Sequence, residues 1–191
     1  LKYIAAKYNI ALELEETPED FARDDRRESM LIINEFAAKY FHRQLTEEET
    51  GKKIALSYFR ERGILTSTIE TFQLGYSPDE WEALSKEALA QQYQEEYLEA
   101  SGLAFRSDKT GRLIDRFRGR IMFPIHNHLG RVVGFGGRIL GKKENTAKYV
   151  NSPESEVYHK SNVLYGLHFS KKAIRDQDQC LLVEGYMDVI A

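Results

Sequence analysis

The chain has 191 residues, enough for one large domain or two small ones, and 42% of them are hydrophobic, enough for a real core. With 30% charged residues and no apolar run near the roughly 18 residues of a membrane span, the composition excludes a membrane helix and predicts a soluble chain, and the lone cysteine fits a reducing, cytoplasmic location. The single cysteine excludes an internal disulfide and a multi-cysteine zinc site within the chain, and a net charge of -3 excludes a surface that is basic all over.

The first sixteen residues, LKYIAAKYNIALELEE, carry acids too early for a signal peptide and show helical spacing instead. Thr17, Pro18, Glu19 and Asp20 supply an N-cap, a proline at the first helical position and acids in the first turn. Over residues 26–45, Ile33, Phe36, Ala37, Tyr40 and Phe41 recur at three- and four-residue intervals and define one apolar helix face. Thr46 and Glu49 read as a capping box for a second helix, with Ile54, Leu56, Tyr58 and Phe59 as its buried side and Gly63 as its stop. Ser67 and Glu70 predict a short helix ending near Gly75. Residues 77–80 (SPDE) predict the cap of another, carrying Trp81 and Leu84, and residues 91–100 continue as helix to Gly102.

Beyond Gly102 the pattern changes. Residues 120–127 (RIMFPIHN) and 132–140 (VVGFGGRIL) are β-rich runs around the turn 128–131, which predicts an antiparallel hairpin. Pro124 has no N–H for a ladder, so it belongs at an edge or a bulge. Gly134, Gly136 and Gly137 predict a bulge or a close backbone approach in the second strand. A turn or helix start at 152–155 and a short helix over 166–174 follow. The apolar run 180–183 (CLLV) predicts a buried strand that joins the sheet, with Cys180 as a buried thiol.

Charge is unevenly spread. From Arg106 to Lys148, eleven basic residues face only Asp108, Asp115 and Glu144, so that stretch is +8 and the remainder -11. Such asymmetry fits a polyanion-binding surface on an acidic scaffold, or ordinary solvated strand faces. Glu184 at the end of the final strand, before Gly185, is placed to hold a divalent metal or move a proton, or to cap the next helix. Asp188 reads as a solvated helix acid. GFGGR at 134–138 lacks the GK[ST] of a triphosphate loop, but Arg138 can pair with phosphate bidentately. Lys148 can neutralise a phosphate and Tyr149 can stack on a base, or the two simply belong to a strand. His126 and His128 share a strand face without a visible third metal ligand.

In order along the chain, YFRERGI (58–64), LGYSPDEWEAL (74–84), DRFRGRIMFPI (115–125), GRVVGFGGRIL (130–140), KYVNSPES (148–155), HKSNVLYGL (159–167) and EGYMDVIA (184–191) together resemble the DnaG family of bacterial primases. The resemblance implies an α+β fold: a helical section over 1–102, a basic β-rich nucleic-acid-binding section over 103–179, and the start of a TOPRIM fold over 180–191. It implies an enzyme of DNA replication, a nucleotidyltransferase that makes RNA primers from ribonucleoside triphosphates on a single-stranded DNA template. Glu184 falls on the family's TOPRIM glutamate. Arg62, Arg138, Lys148, Tyr149 and Lys160 fall on motif positions associated with template or nucleotide. Further elements of the family lie outside this chain: the remaining TOPRIM acids, which complete a site for Mg2+ or Mn2+, a Zn2+-binding N-terminal domain, and a C-terminal region that contacts the replicative helicase. This stretch is therefore expected to hold no metal firmly and to make no primers by itself. Two other readings stay open at this point: another TOPRIM protein, such as a topoisomerase or OLD-type nuclease, or a non-catalytic single-stranded nucleic-acid-binding module.

Overall fold

The computed structural model describes Tyr8, residues 17–141 and residues 146–191. The helical spacing expected in the first sixteen residues therefore lies, apart from Tyr8, outside the described residues, as do Lys142, Lys143 and Glu144 of the basic stretch. The fold is α+β, as expected, although one short strand lies within the first hundred residues.

Helix α1 (Pro18–Thr46) starts where the sequence places it. The Thr17 hydroxyl accepts from the Asp20 N–H, and the Asp20 carboxylate accepts from the Thr17 N–H, so two otherwise orphaned donors are satisfied. Its predicted face is the buried one, with Ile33, Ala37, Tyr40 and Phe41 inside. The next cap differs from expectation. The Thr46 hydroxyl donates back to the His42 carbonyl at 2.9 Å, and α2 (Glu49–Gly51) begins without a side-chain cap. A π-helical turn (Lys52–Leu56) then joins α2 to α3 (Ser57–Glu61). The wider turn shifts the helical phase, so Ala55 and Phe59 face inward, and Ile54, expected inside, is 46% exposed. Gly63, left-handed at φ +73°, stops the run as expected.

Helix α4 (Thr66–Thr71) is preceded by Leu65 rather than capped by Ser67, and it ends before Gly75, which opens β1 (Gly75–Ser77). Helix α5 (Ala83–Ala90) is not capped by residues 77–80. Its first N–H groups are taken by a distant carboxylate, that of Asp115 in β3 (Leu113–Asp115), at 2.7 Å to Leu84 and 3.1 Å to Ser85, with the Ser85 hydroxyl as a third donor. Burial pushes the Asp115 carboxyl up, opposed by these three hydrogen bonds, and the positive helix end favours the ion. Trp81, expected on a helix, precedes α5 and is 60% exposed. The helix does not run on to Gly102. Gln92 is left-handed at φ 65°, and α6 (Glu95–Ala100) begins afresh.

Strands β2 (Ala104–Arg106) and β3 form a separate antiparallel ribbon. The main sheet runs β1-β4-β5-β6, all antiparallel, and contains the expected hairpin of β4 (Arg120–His126) and β5 (Val132–Ile139), with β6 (Tyr149–Asn151) beyond. β4 is buried throughout, because both its faces are covered: Met122 joins the cluster around α1, while Ile121 and Phe123 join the cluster around Phe59 and Leu74. Pro124 sits where expected. β1 pairs only as far as Met122, and the register slips between Ile125 and His126. The first cluster draws Phe41, Leu98, Met122 and Phe135 together, with the Phe41 and Phe135 rings edge to face at 5.5 Å.

Helix α7 (Leu167–Gln177) runs three residues beyond its predicted end. Residues 180–183 form no strand. Leu181 and Leu182 are 85% and 83% exposed, and Cys180 is exposed rather than buried. A strand needs a neighbour for its N–H and C=O groups, and among the described residues no strand lies beside this one. Helix α8 (Tyr186–Ile190) follows and returns to the core through Ile190.

Replacing Asp115 by Ala removes the cap of α5 and leaves buried donors unmet, so it is expected to cost about 1–3 kcal/mol. Urea denaturation reads this as a lower midpoint with an unchanged slope. An unchanged midpoint contradicts the assignment of the cap.

Candidate nucleic-acid interface

Much of the basic stretch is spent on structure. Arg120 is buried and donates to three carbonyls, those of Gly137 (3.2 Å), Lys148 (3.3 Å) and Ala147 (3.0 Å), which pins the approach to β6 onto β5. Arg131 bridges to Glu28, at 2.9 Å, and to Glu35, tying the hairpin turn to α1. Arg106 pairs with Glu95 and Glu99, and Arg116 donates to the Gly102 carbonyl while lying over the Phe105 ring. Lys109, Arg112 and Lys148 remain exposed, and Arg138 is half-buried.

Arg138 is the centre of a cation–aromatic cluster. Its position on β5 pairs with Tyr149 on β6, and its guanidinium lies 5.6 Å from the Tyr149 ring and 4.9 Å from the Tyr58 ring. It also donates to the Tyr58 hydroxyl. Arg62 covers the same Tyr58 ring at 5.4 Å. The Arg138 Nε is buried without a hydrogen-bond partner among the described residues. A guanidinium close to two tyrosine rings suits an oxyanion carried by a planar group. Tyr149 is 38% exposed, so its ring is open to a stacking partner.

The turn bearing Glu184 meets this cluster through Tyr186. That ring stacks on Phe123 at 5.1 Å and 11°, stands edge-on to Tyr165 at 4.6 Å, and lies 6.1 Å from Tyr149. Its hydroxyl donates to Asn151 Oδ1 at 2.8 Å. Burial pushes the phenol up, which keeps it a donor at neutral pH. Glu184 is exposed, and Asp188, rather than being merely solvated, accepts the Gly185 N–H at 3.1 Å. Lys160 sits in a 3-10 turn (Lys160–Asn162), its backbone N–H held by Glu154 at 3.0 Å, and no contact among the described residues joins it to the cluster.

The structure thus brings Arg62, Arg138 and Tyr149 together, with Lys148 adjacent in sequence and Glu184 two residues from the shared wall. Tyr58 was expected only as part of a buried helix face and Asn151 only as an amide before a turn, and neither was named as a site residue. Trp81, expected only as a helix residue, has an exposed ring with the Arg118 guanidinium over it at 3.4 Å.

The family described as the DNA primase catalytic core, N-terminal domain, matches residues 40–171. A DNA primase from Halalkalibacterium halodurans is 40% identical over 189 residues, 98% of this chain and 31% of that protein. A solved structure of the DnaG primase catalytic domain bound to ssDNA aligns with TM-score 0.78 and 34% identity, covering 87% of this chain and 52% of that one. The zinc-binding and RNA polymerase domains of the Aquifex aeolicus primase align with TM-score 0.76 and 31% identity, covering 98% of this chain and 43% of that one. The chain spans between about a quarter and a third of the length of the curated relatives it matches. Among the described residues, no helix is long and apolar enough to cross a membrane.

Among the described residues, no group of three or more His, Cys, Asp or Glu is placed to hold an ion. His126 and His128 do not converge. His128 lies exposed in the turn, whereas His126 is buried against His168, at 6.3 Å, and Phe169, at 5.0 Å. Burial first, and His168 second, push the His126 imidazole down to about 4. A histidine whose folded pKa lies below its unfolded value of 6.5 costs stability as pH falls from about 6.5 towards 4, because only the unfolded chain takes up the proton. His126→Phe is therefore expected to flatten the fall in thermal stability between pH 6.5 and 4. An identical pH profile for the variant contradicts this.

Proposed function

The chain belongs to the family of the N-terminal domain of the DNA primase catalytic core, and from that premise we propose that it supplies the template- and nucleotide-binding surface of an enzyme that makes short RNA primers on single-stranded DNA. The observation that carries this reading is the Arg138 cluster: a guanidinium against the Tyr58 ring and the exposed Tyr149 ring offers a cation for phosphate beside a stacking face. A nucleotide presents both chemistries in one molecule. The ssDNA bound to a similar catalytic domain supports the template side of the reading. Membership in this family sets the chain apart from topoisomerases and OLD-type nucleases.

In this reading a primer 3′-hydroxyl attacks the α-phosphate of an incoming ribonucleoside triphosphate, a phosphodiester forms and pyrophosphate leaves. Arg138, Arg62, Lys148 and Lys160 balance phosphate charge, Tyr149 stacks on a base, and Glu184 brings one carboxylate to the reacting end. The cation–aromatic pair of Arg118 and Trp81 adds a second exposed surface for a single strand. The division at Gly102 and at residue 180 separates a helical scaffold, a basic binding section and the start of a TOPRIM fold. Mg2+ or Mn2+ at the complete active site, Zn2+ in a further N-terminal domain like that of the Aquifex aeolicus primase, and a replicative helicase as partner belong to the same proposal. One carboxylate does not assemble a metal site, so this chain by itself is expected to make no primers.

Single-stranded DNA titrations at several salt concentrations test the surface. Lys148→Ala is expected to weaken binding across sequences and to flatten the log–log salt slope by about 0.7, the share of one phosphate. Tyr149→Ala is expected to cost about 1–3 kcal/mol with the slope nearly unchanged. Unchanged affinity in both folded variants refutes the assignment. In the full-length protein, Glu184→Gln keeps shape and removes charge, and is expected to abolish primer synthesis while DNA affinity stays. Near-normal synthesis demotes Glu184 to a structural acid.

A further inference from the structure

We propose that Tyr186 is a positioning residue: through its hydroxyl bond to Asn151 and its stack on Phe123, it fixes the turn bearing Glu184 against the strand bearing Tyr149. The proposal rests on the functional reading above and goes beyond it, because neither Tyr186 nor Asn151 is assigned a role there.

Three observations carry it. First, α8 has only five residues, too short to hold its own orientation, and the apolar run before it is exposed and unpaired among the described residues. Tyr186 opens this helix and anchors its first turn to the sheet, as the buried Ile190 anchors its last, with Phe123, Tyr165 and Tyr149 around the ring. Second, β5 is shaped to receive the ring. A Cβ at Gly136 would lie 2.5–2.8 Å from Tyr186 ring and hydroxyl atoms, closer than any side chain tolerates. Third, Asn151, which accepts the hydroxyl at 2.8 Å, belongs to β6 and pairs with Gly136 across the ladder. One hydrogen bond therefore connects the Glu184 turn to the strand that presents Tyr149, two residues away. A carboxylate on an untethered turn would sample many positions, and a displacement of about 1 Å at a reacting centre is enough to cost about a hundredfold in rate.

Tyr186→Phe in the full-length protein keeps the stack and removes only the bond to Asn151. It is expected to lower kcat for primer synthesis about three- to tenfold, as one lost hydrogen bond implies, with nucleotide KM and DNA affinity little changed. Amide hydrogen exchange over residues 184–190 is expected to speed up, with the β4–β5 hairpin unchanged. Asn151→Ala is expected to give the same drop in kcat, and the double variant to be no slower than either single one, since both remove the same bond. Gly136→Ala, which displaces the ring, is expected to act in the same direction. Wild-type kcat and wild-type exchange in Tyr186→Phe overturn the proposal, as does a double variant whose losses multiply. Glu184→Gln run in parallel separates the two possible failures. If it abolishes synthesis while Tyr186→Phe behaves as wild type, the tether is wrong and the functional reading stands. If it remains active, the functional reading falls, and the exchange over 184–190 decides the tether by itself.

Discussion

Close approach of aromatic rings to the bare backbone of β5 is the constraint on which this structure depends. Gly134 and Gly136 lie on one face of the strand, where added Cβ atoms would press on Ser152, Tyr158 and Tyr186; Gly137 lies on the other, against Phe117. Each glycine in a strand costs about 0.5–1 kcal/mol in backbone entropy. A ring buried in the space left open returns about 1.5–3 kcal/mol. The exchange also has a geometric result. With no side chains in the way, Tyr186 packs its ring against Gly136, β6 pairs with the glycine segment, and Tyr149 comes beside Arg138. Bulk at these positions would move the candidate site apart before it unfolded the domain.

Electrostatics follow from the same packing. An apparent +8 stretch suggests a broad basic surface, yet Arg120, Arg131, Arg106 and Arg116 have protein partners. Arginine suits such work because its fork satisfies several carbonyl or carboxylate oxygens at once. The charge open to a ligand is thus narrower than the charge count implies, and the proposed reading centres on places where arginine meets an aromatic ring, at Arg138 with Tyr58 and Tyr149, and at Arg118 with Trp81. Ring contact adds cation–π attraction there, while a guanidinium N–H of Arg138 is given to the Tyr58 hydroxyl.

Elements governed by local signals were legible in the sequence. The Thr17 cap, the apolar face of α1, the stop at Gly63, the β4–β5 hairpin and the place of Pro124 all depend on residues near each other in the chain. Elements governed by distant partners were not. The cap of α5 comes from Asp115, about thirty residues away, and the π turn at 52–56 reverses the burial expected of Ile54 through a one-residue phase shift that periodicity does not reveal. The run 180–183 has the composition of a buried strand, but a strand is a property of a pair, and no partner strand lies beside it among the described residues. Arg62 and Lys160 were named from motif position alone, and Arg138, Lys148, Tyr149 and Glu184 from their own chemistry as well, whereas the contributions of Tyr58, Asn151 and Tyr186 exist only in the folded contacts.

Hydroxyl-radical footprinting reads the exposed Tyr149 ring directly and tests the central claim, that the Arg138 cluster takes the nucleic-acid or nucleotide ligand. The full-length protein would be labelled with and without saturating single-stranded DNA and ribonucleoside triphosphate, and oxidation mapped residue by residue. The account predicts that Tyr149 becomes protected while the equally exposed Leu89 of α5 keeps its rate. Undiminished oxidation of Tyr149 at saturation with both ligands would contradict it.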